Sequence, residues 1–279
     1  MNPSSLELKR KVQRLQSLPT LPGIVQKISQ LVDNPNVSTA KIGEEISKDQ
    51  VLSAKVLKLV NSSFYGLSGR ISSINQALVL LGFNVVKGLV LSTSVFEKLT
   101  REMIGFYEHS LGCAIAAGII AKEIGHPDKD EIWIAGLLHD IGKVIMWVNL
   151  PDDFAEIVDE AKRTRQFITD VEKEHLSITH TDVADWLATK WHLPISVREP
   201  MIYHHSPSRA KTAKVQTAIV HLANILVNAY GFGQSGDDLV PPLDDQSAKL
   251  LGLTDRLLDE IILRLDEELS VTNTEDYLG

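Results

Sequence analysis

The chain has 279 residues, enough for one large domain or two ordinary ones, and its 44% hydrophobic and 23% charged residues are those of a soluble globular protein, which excludes a fibrous repeat or a disordered chain. Lys plus Arg number 28 against 36 Asp plus Glu, a formal charge of −8 that argues against a basic wrap for nucleic acid. Cys113 is the sole cysteine, so an intrachain disulfide and a structural cysteine-zinc site are excluded, and a reducing compartment is expected.

The first residues alternate charged and apolar positions (Glu7, Lys9, Arg10, Lys11, Arg14) with no apolar centre, so no leader peptide is read there. After Pro22, the residues Ile24, Ile28, Leu31 and Val32 recur at helical spacing, and Asn34-Pro35-Asn36 ends that helix. Ser38 is placed to cap a helix carrying Ile42 and Ile46, and Asp49 to cap the next, with Val51, Leu52, Val56, Leu59 and Val60. A helix-turn-helix reading of Ser38 to Asn61 is countered by Glu44-Glu45 and by the acidic balance of the chain. Asn61-Ser62 should end the second of these helices, because such side chains bond nearby backbone groups.

Ser73 to Gln76 is a capping-box pattern before Ala77-Leu78-Val79-Leu80-Leu81, with Gly82 fitting the stop. The longest apolar run, Ala77 to Val95, is interrupted by Asn84 and Lys87 and falls short of the roughly 20 clean residues a span requires. No membrane span and a cytoplasmic location are therefore expected. Val85 to Leu99 mixes Val with Ser and Thr, but its apolar residues cover more than alternate positions, which predicts helix. Helices are also predicted over Phe106 to Ile124, Glu131 to Val148, Phe154 to Arg165, Thr179 to Lys190, Ile195 to His204, Thr212 to Asn228 and Thr254 to Leu269. Gly231 to Asp245, rich in Gly, Asp and Pro, reads as a mobile loop. The helix after it carries Leu257, Leu258, Ile261, Ile262 and Leu265 on one side and should dock on the body. The fold class is all-α with short connections.

Most of the nine histidines cluster in the second half. In Gly136-Leu137-Leu138-His139-Asp140-Ile141-Gly142-Lys143, an imidazole and a carboxylate stand adjacent on a predicted helix and can converge on a point beside it, where they suit iron, manganese or zinc. The flanking apolar residues bury that pair, so it needs partners. Lys143, one turn after His139, could neutralise a phosphate oxygen. His109 precedes the small residues Gly112, Cys113 and Ala114. His180 starts a helix, His204-His205 closes another, and Asn224 lies in the apolar stretch His221 to Leu226. Histidines and a carboxylate projecting from several helices are how bundles build metal sites. His126, His175 and His192 read as solvated or structural.

These residues also carry a resemblance. Leu18-Pro19-Thr20-Leu21-Pro22, Val60-Asn61-Ser62-Ser63-Phe64-Tyr65-Gly66, Ile71 to Ala77 with Leu80-Leu81-Gly82, Glu108-His109-Ser110, Ala135 to Gly142, Trp191-His192-Leu193-Pro194 and His204-His205 resemble, in order, the HDOD domain. That domain is the regulatory relative of the HD phosphohydrolases. The resemblance implies a two-lobed helical bundle: residues 1–100 as an N-terminal lobe, 101–230 as an HD-like lobe, and 231–279 as a loop and C-terminal helix packed on the body. Many HDOD domains have lost their metal ligands and are treated as bacterial signalling or interaction modules.

Here the ligand set is retained. By resemblance to active HD enzymes, His109, His139, Asp140 and Asn224 fall on the His, His-Asp and final Asp ligand positions. By resemblance to the two-metal HD-GYP phosphodiesterases, His180, His204 and His205 are further ligands and Lys143 is the lysine of the site. One or two divalent ions (Fe, Mn or Zn) are implied. Two departures stand out: an amide, Asn224, replaces a carboxylate, and Ser206-Pro207-Ser208 replaces the Gly-Tyr-Pro stretch, which argues against cyclic di-GMP hydrolysis. The expected function is a signal-transduction protein with a retained metal site, whose partner is a signalling protein or a nucleotide or phosphoester ligand. The alternative is a metal-dependent phosphohydrolase or phosphodiesterase in which Asp140 and Lys143 serve catalysis.

Overall fold

The computed structural model describes residues 6–10, 38–61, 71–96 and 104–272. Among these residues all regular structure is helical, with no strand, as the periodicity predicts. The described residues fall into two compact units, 38–96 in one and 6–10 with 104–272 in the other. The helix expected after Pro22 and the motif residues 18–22 and 62–66 lie outside the described residues.

The smaller unit holds α1 (Thr39–Ser47), α2 (Gln50–Val60) and α3 (Ile74–Phe96). Ser38 Oγ accepts from the Lys41 N–H at 3.3 Å and Asp49 Oδ1 from the Leu52 N–H at 3.0 Å, so both expected caps form. Asn61 ends α2. Its amide donates to Leu57 O (2.9 Å) and Ile71 O (2.8 Å), and its Oδ1 accepts from the Ile71 N–H (3.1 Å). At the start of α3, Ser73 Oγ accepts from the Gln76 N–H (3.2 Å), while Gln76 Oε1 accepts from Ser72 N–H (2.8 Å) rather than from Ser73 as a strict capping box would have it. Gly82, at φ 81° and ψ 168°, is non-helical and divides α3 into two helices, so the expected stop forms there, and the Val-rich stretch beyond is helix to Phe96. By length and composition alone Ile74–Thr93 would pass for a membrane span, but 56% of its apolar window is buried, as in a core helix, and Gly82 breaks it.

The larger unit is built on α4 (Ile104–Glu123). Leu111, Ala114, Ala116, Ala117, Ile120 and Ala121 are all buried, the signature of a helix surrounded by others. Packed on it are α5 (Lys129–Leu138), α11 (Lys214–Tyr230) and α13 (Asp255–Val271). The remaining helices, α6 (Ile141–Asn149), α7 (Pro151–Thr164), α8 (Ile168–Leu176), α9 (His180–Lys190), α10 (Ile195–Tyr203) and α12 (Asp245–Leu250), complete the unit. Ile261, Leu265 and Leu269 of α13 are buried, and Arg264 Nε meets Glu123 Oε1 at 3.0 Å; Ile262, expected on the docking side, is 42% exposed.

One helix of the sequence reading is two. Instead of a single helix over Glu131 to Val148, α5 stops at Leu138 and α6 begins at Ile141, with Asp140 between them at φ −99° and ψ 10°. The break redirects the chain, and the Lys143 N–H closes on Asp140 O at 2.9 Å. Glycine is needed just beyond it, because a Cβ on Gly142 would collide with the His180 carbonyl oxygen. That close approach brings the start of α9 onto α6.

Candidate metal centre

Three histidines of the cluster are aimed by a bond to the far nitrogen. His139, at the end of α5, directs Nδ1 to Gly136 O at 2.7 Å. His180, the first residue of α9, directs Nδ1 to the Glu172 carboxylate of α8 (2.9 Å to Oε2). His204, just after α10, directs Nδ1 to the carbonyls of Pro200 and Met201, both at 3.2 Å, and its own carbonyl faces His221 Nδ1 at 2.7 Å. Those partners are carbonyl or carboxylate oxygens, which only accept. The ring proton therefore sits on Nδ1, and each Nε2 presents a bare lone pair.

Those lone pairs converge on Asp140. His139 Nε2 lies 3.3 Å from Oδ2, and His180 and His204 Nε2 lie 3.3 and 3.6 Å from Oδ1. His109 Nε2 of α4 stands 3.8 Å from Oδ2, and His205 Nε2 is 3.2 Å from His180 Nε2. Asn224 Oδ1 of α11 faces His109 Nε2 at 3.0 Å and accepts from Asn228 Nδ2 at 2.8 Å; an amide oxygen only accepts, so without metal the His109 ring proton sits on Nε2 and must move to Nδ1 for that nitrogen to bind an ion. The structure thus brings together every site residue named from the sequence. Lys143 joins them, donating to Asp140 Oδ2 at 2.8 Å.

Lone pairs facing carboxylate oxygens in a buried space repel unless a cation lies between them. His139 Nε2, His204 Nε2 and Asp140 Oδ1 are buried with no hydrogen-bond partner, a costly state for polar atoms. Donor separations of this size suit atoms sharing an ion held at about 2.0–2.2 Å. The nitrogen and oxygen donors match a divalent transition ion. On Asp140 Oδ1, the ligand atoms of Asp140, His180, His204 and His205 all lie within 4.8 Å of one another. The residues present therefore fit a divalent metal.

The electrostatics agree. Burial, reinforced by neighbouring imidazoles, lowers the pKa of His109 and of His204 to about 3 and drives His205 well below the usual range, so these rings are neutral. Burial alone would raise Asp140, but its surroundings, the Lys143 ammonium 2.8 Å from Oδ2 among them, hold its carboxyl well below the carboxylate range. Burial works against the charge on Lys143 too, yet Asp140 and Asp237 hold its pKa above the usual value.

The segment after α11 closes over this centre. Ser235 O accepts from Lys143 Nζ at 2.8 Å, and Asp237 Oδ2 lies 4.0 Å from the same ammonium. The Gln234 N–H donates to Gly105 O at 2.8 Å, and the Ile168 N–H to Asp237 Oδ1 at 2.6 Å. The expectation of a mobile loop from Gly231 is therefore corrected for residues 234–237, which are pinned by α4, α6 and α8. Its small and acidic residues are what a buried lysine and free N–H groups require.

The chain matches the HDOD domain over residues 18–207. It belongs to the HDOD family. An uncharacterized protein of Treponema pallidum (strain Nichols) is 26% identical over 220 residues, 77% of this chain and 43% of that protein, so the chain spans less than half of that curated relative. The crystal structure of an HDOD domain protein of unknown function from Geobacter sulfurreducens superimposes with a TM-score of 0.66 at 25% identity, covering 96% of this chain and 99% of the other. A candidate metal-dependent phosphohydrolase from Shewanella amazonensis SB2B shares the fold at a TM-score of 0.61 and 17% identity, covering 98% and 97%.

Four residues of this HDOD centre escaped the sequence reading. Glu172, which sits in the charged run Glu172-Lys173-Glu174-His175, is fully buried against His180. Ser235 and Asp237 lie in the segment read as loop. Cys113 passed as a small packing residue, yet its Sγ is 3.4 Å from His109 Nε2. Of these, Cys113 alone left a trace in the sequence: it stands one helical turn after His109, on the same face. His126, His175 and His192 stay outside the cluster as expected; His175 pairs with Glu160 at 2.6 Å.

Proposed function

We propose that this HDOD protein is a signal-transduction module whose HD-like centre holds a divalent metal, with His109, His139, Asp140, His180, His204, His205 and Asn224 as its ligand set. The observation that carries this reading is the set of bare, buried Nε2 atoms facing the two oxygens of Asp140. Asp140 can give Oδ2 to an ion beside His109 and His139 and Oδ1 to one beside His180, His204 and His205, so the arrangement accommodates one or two ions. Iron, manganese and zinc all suit such donors. A bound ion would supply Lewis acidity and a fixed positive charge for a phosphoryl ligand. The partner is a signalling protein or a nucleotide or phosphoester that contacts this centre. Elemental analysis of the purified full chain tests the reading: near-stoichiometric transition metal supports it, and metal at background in protein purified without chelator rejects it.

Phosphoester hydrolysis is the second reading, favoured by one feature: a lysine charged and held beside the Asp140 carboxylate, where it could offset phosphate charge. Against it stand the neutral Asn224, Ser206-Pro207-Ser208 in place of Gly-Tyr-Pro, and the engagement of Lys143 by Ser235 and Asp237. The metal-loaded protein assayed on a panel of nucleotide and simple phosphoesters decides between the two. Turnover that disappears in Lys143→Met assigns hydrolysis, and an inert panel leaves the signalling module.

A further inference from the structure

We propose that Cys113 is an anionic ligand of this metal centre, making the half beside His109 and His139 a nitrogen–sulfur–oxygen site that prefers thiophilic ions. The proposal rests on the metal-centre reading above and deepens it.

Position comes first. His109 and Cys113 are four residues apart on α4 and share a face. Cys113 Sγ is 3.4 Å from His109 Nε2, and the donor atoms of His109, Cys113 and His139 all lie within 4.8 Å of one another, each fully buried. Gly136 makes the approach possible: a Cβ there would meet the Cys113 carbonyl oxygen at 2.7 Å, so α5 closes on α4 only at a glycine. Independently of the cysteine, His139 Nε2 points into this same half with no hydrogen-bond partner and no solvent exposure.

Charge comes second. Asn224, beside His109, is neutral. The one carboxylate among the proposed ligands, Asp140, already shares Oδ2 with the Lys143 ammonium. A dication between His109 and His139 would be poorly compensated in a buried bundle, which is costly. A thiolate supplies the missing charge. When the S–metal bond forms, the thiol proton leaves to solvent and the cation takes its place. Sulfur is also the softer donor, so this half favours zinc, cobalt or cadmium over manganese, while Asp140 Oδ1 with His180, His204 and His205 offers only nitrogen and oxygen. The competing account makes Cys113 a small apolar residue packed beside Ala114, Ala116 and Ala117.

Cobalt(II) titrated into the chelator-stripped full chain separates these accounts. Wild type should show the visible d–d absorption of a protein-bound ion together with a near-ultraviolet sulfur-to-cobalt charge-transfer band. Cys113→Ser, close in size, should keep d–d absorption and helical circular dichroism, lose the ultraviolet band, and weaken cadmium binding by at least the about 10–100-fold that loss of even an outer partner costs. Adding Asn224→Asp to Cys113→Ser should restore tight binding without restoring the band, because the anion is then oxygen. Wild-type cobalt with d–d absorption and no sulfur band, or a Cys113→Ser spectrum equal to that of wild type, overturns the proposal and leaves the metal centre standing. Wild type that binds no cobalt overturns both.

Discussion

Glu172 holds His180 at two points: its carboxylate accepts from the His180 backbone N–H at 2.9 Å and from Nδ1–H at 2.9 Å, both residues being fully buried. The first bond fixes where α9 begins, and the second fixes which ring nitrogen carries the proton. A single carboxylate thus couples the geometry of α8 and α9 to the lone pair aimed at Asp140.

Glu172→Gln should therefore weaken metal binding by about 10–100-fold, the usual effect of losing an outer partner of a ligand. An amide N–H turned to Nδ1 would move the ring proton to Nε2 and block the donor. Competition against a chromophoric chelator measures the change. Unaltered affinity in a folded variant would reduce Glu172 to a helix-start contact.

Asp140 is where both oxygens and a buried ammonium meet, so its replacement has two effects. Asp140→Ala should lose the metal and leave Lys143 charged among Ser235 and Asp237, at a stability cost of about 3–5 kcal/mol, well above that of one ordinary hydrogen bond. Asp140→Asn keeps the shape and should also lose metal. Asn224→Asp should bind more tightly, by adding an anion beside His109. Equal metal content in wild type, Asp140→Asn and Asn224→Asp, read by elemental analysis, would contradict this.

The pH dependence of the stripped protein follows from the buried imidazoles. His109 and His204 titrate at about 3 in the fold and near 6.5 when unfolded. Between those values the unfolded chain binds more protons. Stability is thus full above about pH 6.5 and falls as pH drops toward 3, by about 1.4 kcal/mol per pH unit for each ring. The depressed Asp140 acts in the same direction below its ordinary range. Urea midpoints in chelator should be clearly lower at pH 5 than at pH 7, and a flat profile would mean the rings are not held neutral.

Gly142→Ala runs against a common trend. In most helices the change stabilises, since alanine has the better propensity. Here the added methyl meets the His180 carbonyl, so a loss of about 1–3 kcal/mol is expected, with weaker metal binding as α9 shifts. A raised urea midpoint would show that α6 and α9 do not approach this closely.

The sequence by itself determined the all-α class, most helices and several caps, because apolar periodicity and residues such as Ser38 and Asp49 act within one or two turns of the chain. The candidate ligand types were also legible, since the His-Asp pair, the later histidines and the HDOD motifs stand in plain order. Tertiary structure decided what depends on distant partners. The break at Asp140 hides inside the stretch Glu131 to Val148, whose apolar residues keep helical spacing across it, and just beyond it α9 approaches at Gly142. Glu172 reads as part of a solvated charged face until His180 buries it. Residues 234–237 have the composition of a free loop, yet Lys143, Gly105 and Ile168 pin them. Cys113 looks like packing until His139 arrives from another helix. Local propensity acts through neighbours in the chain, whereas a desolvated polar group is stable only beside the partner that folding brings to it.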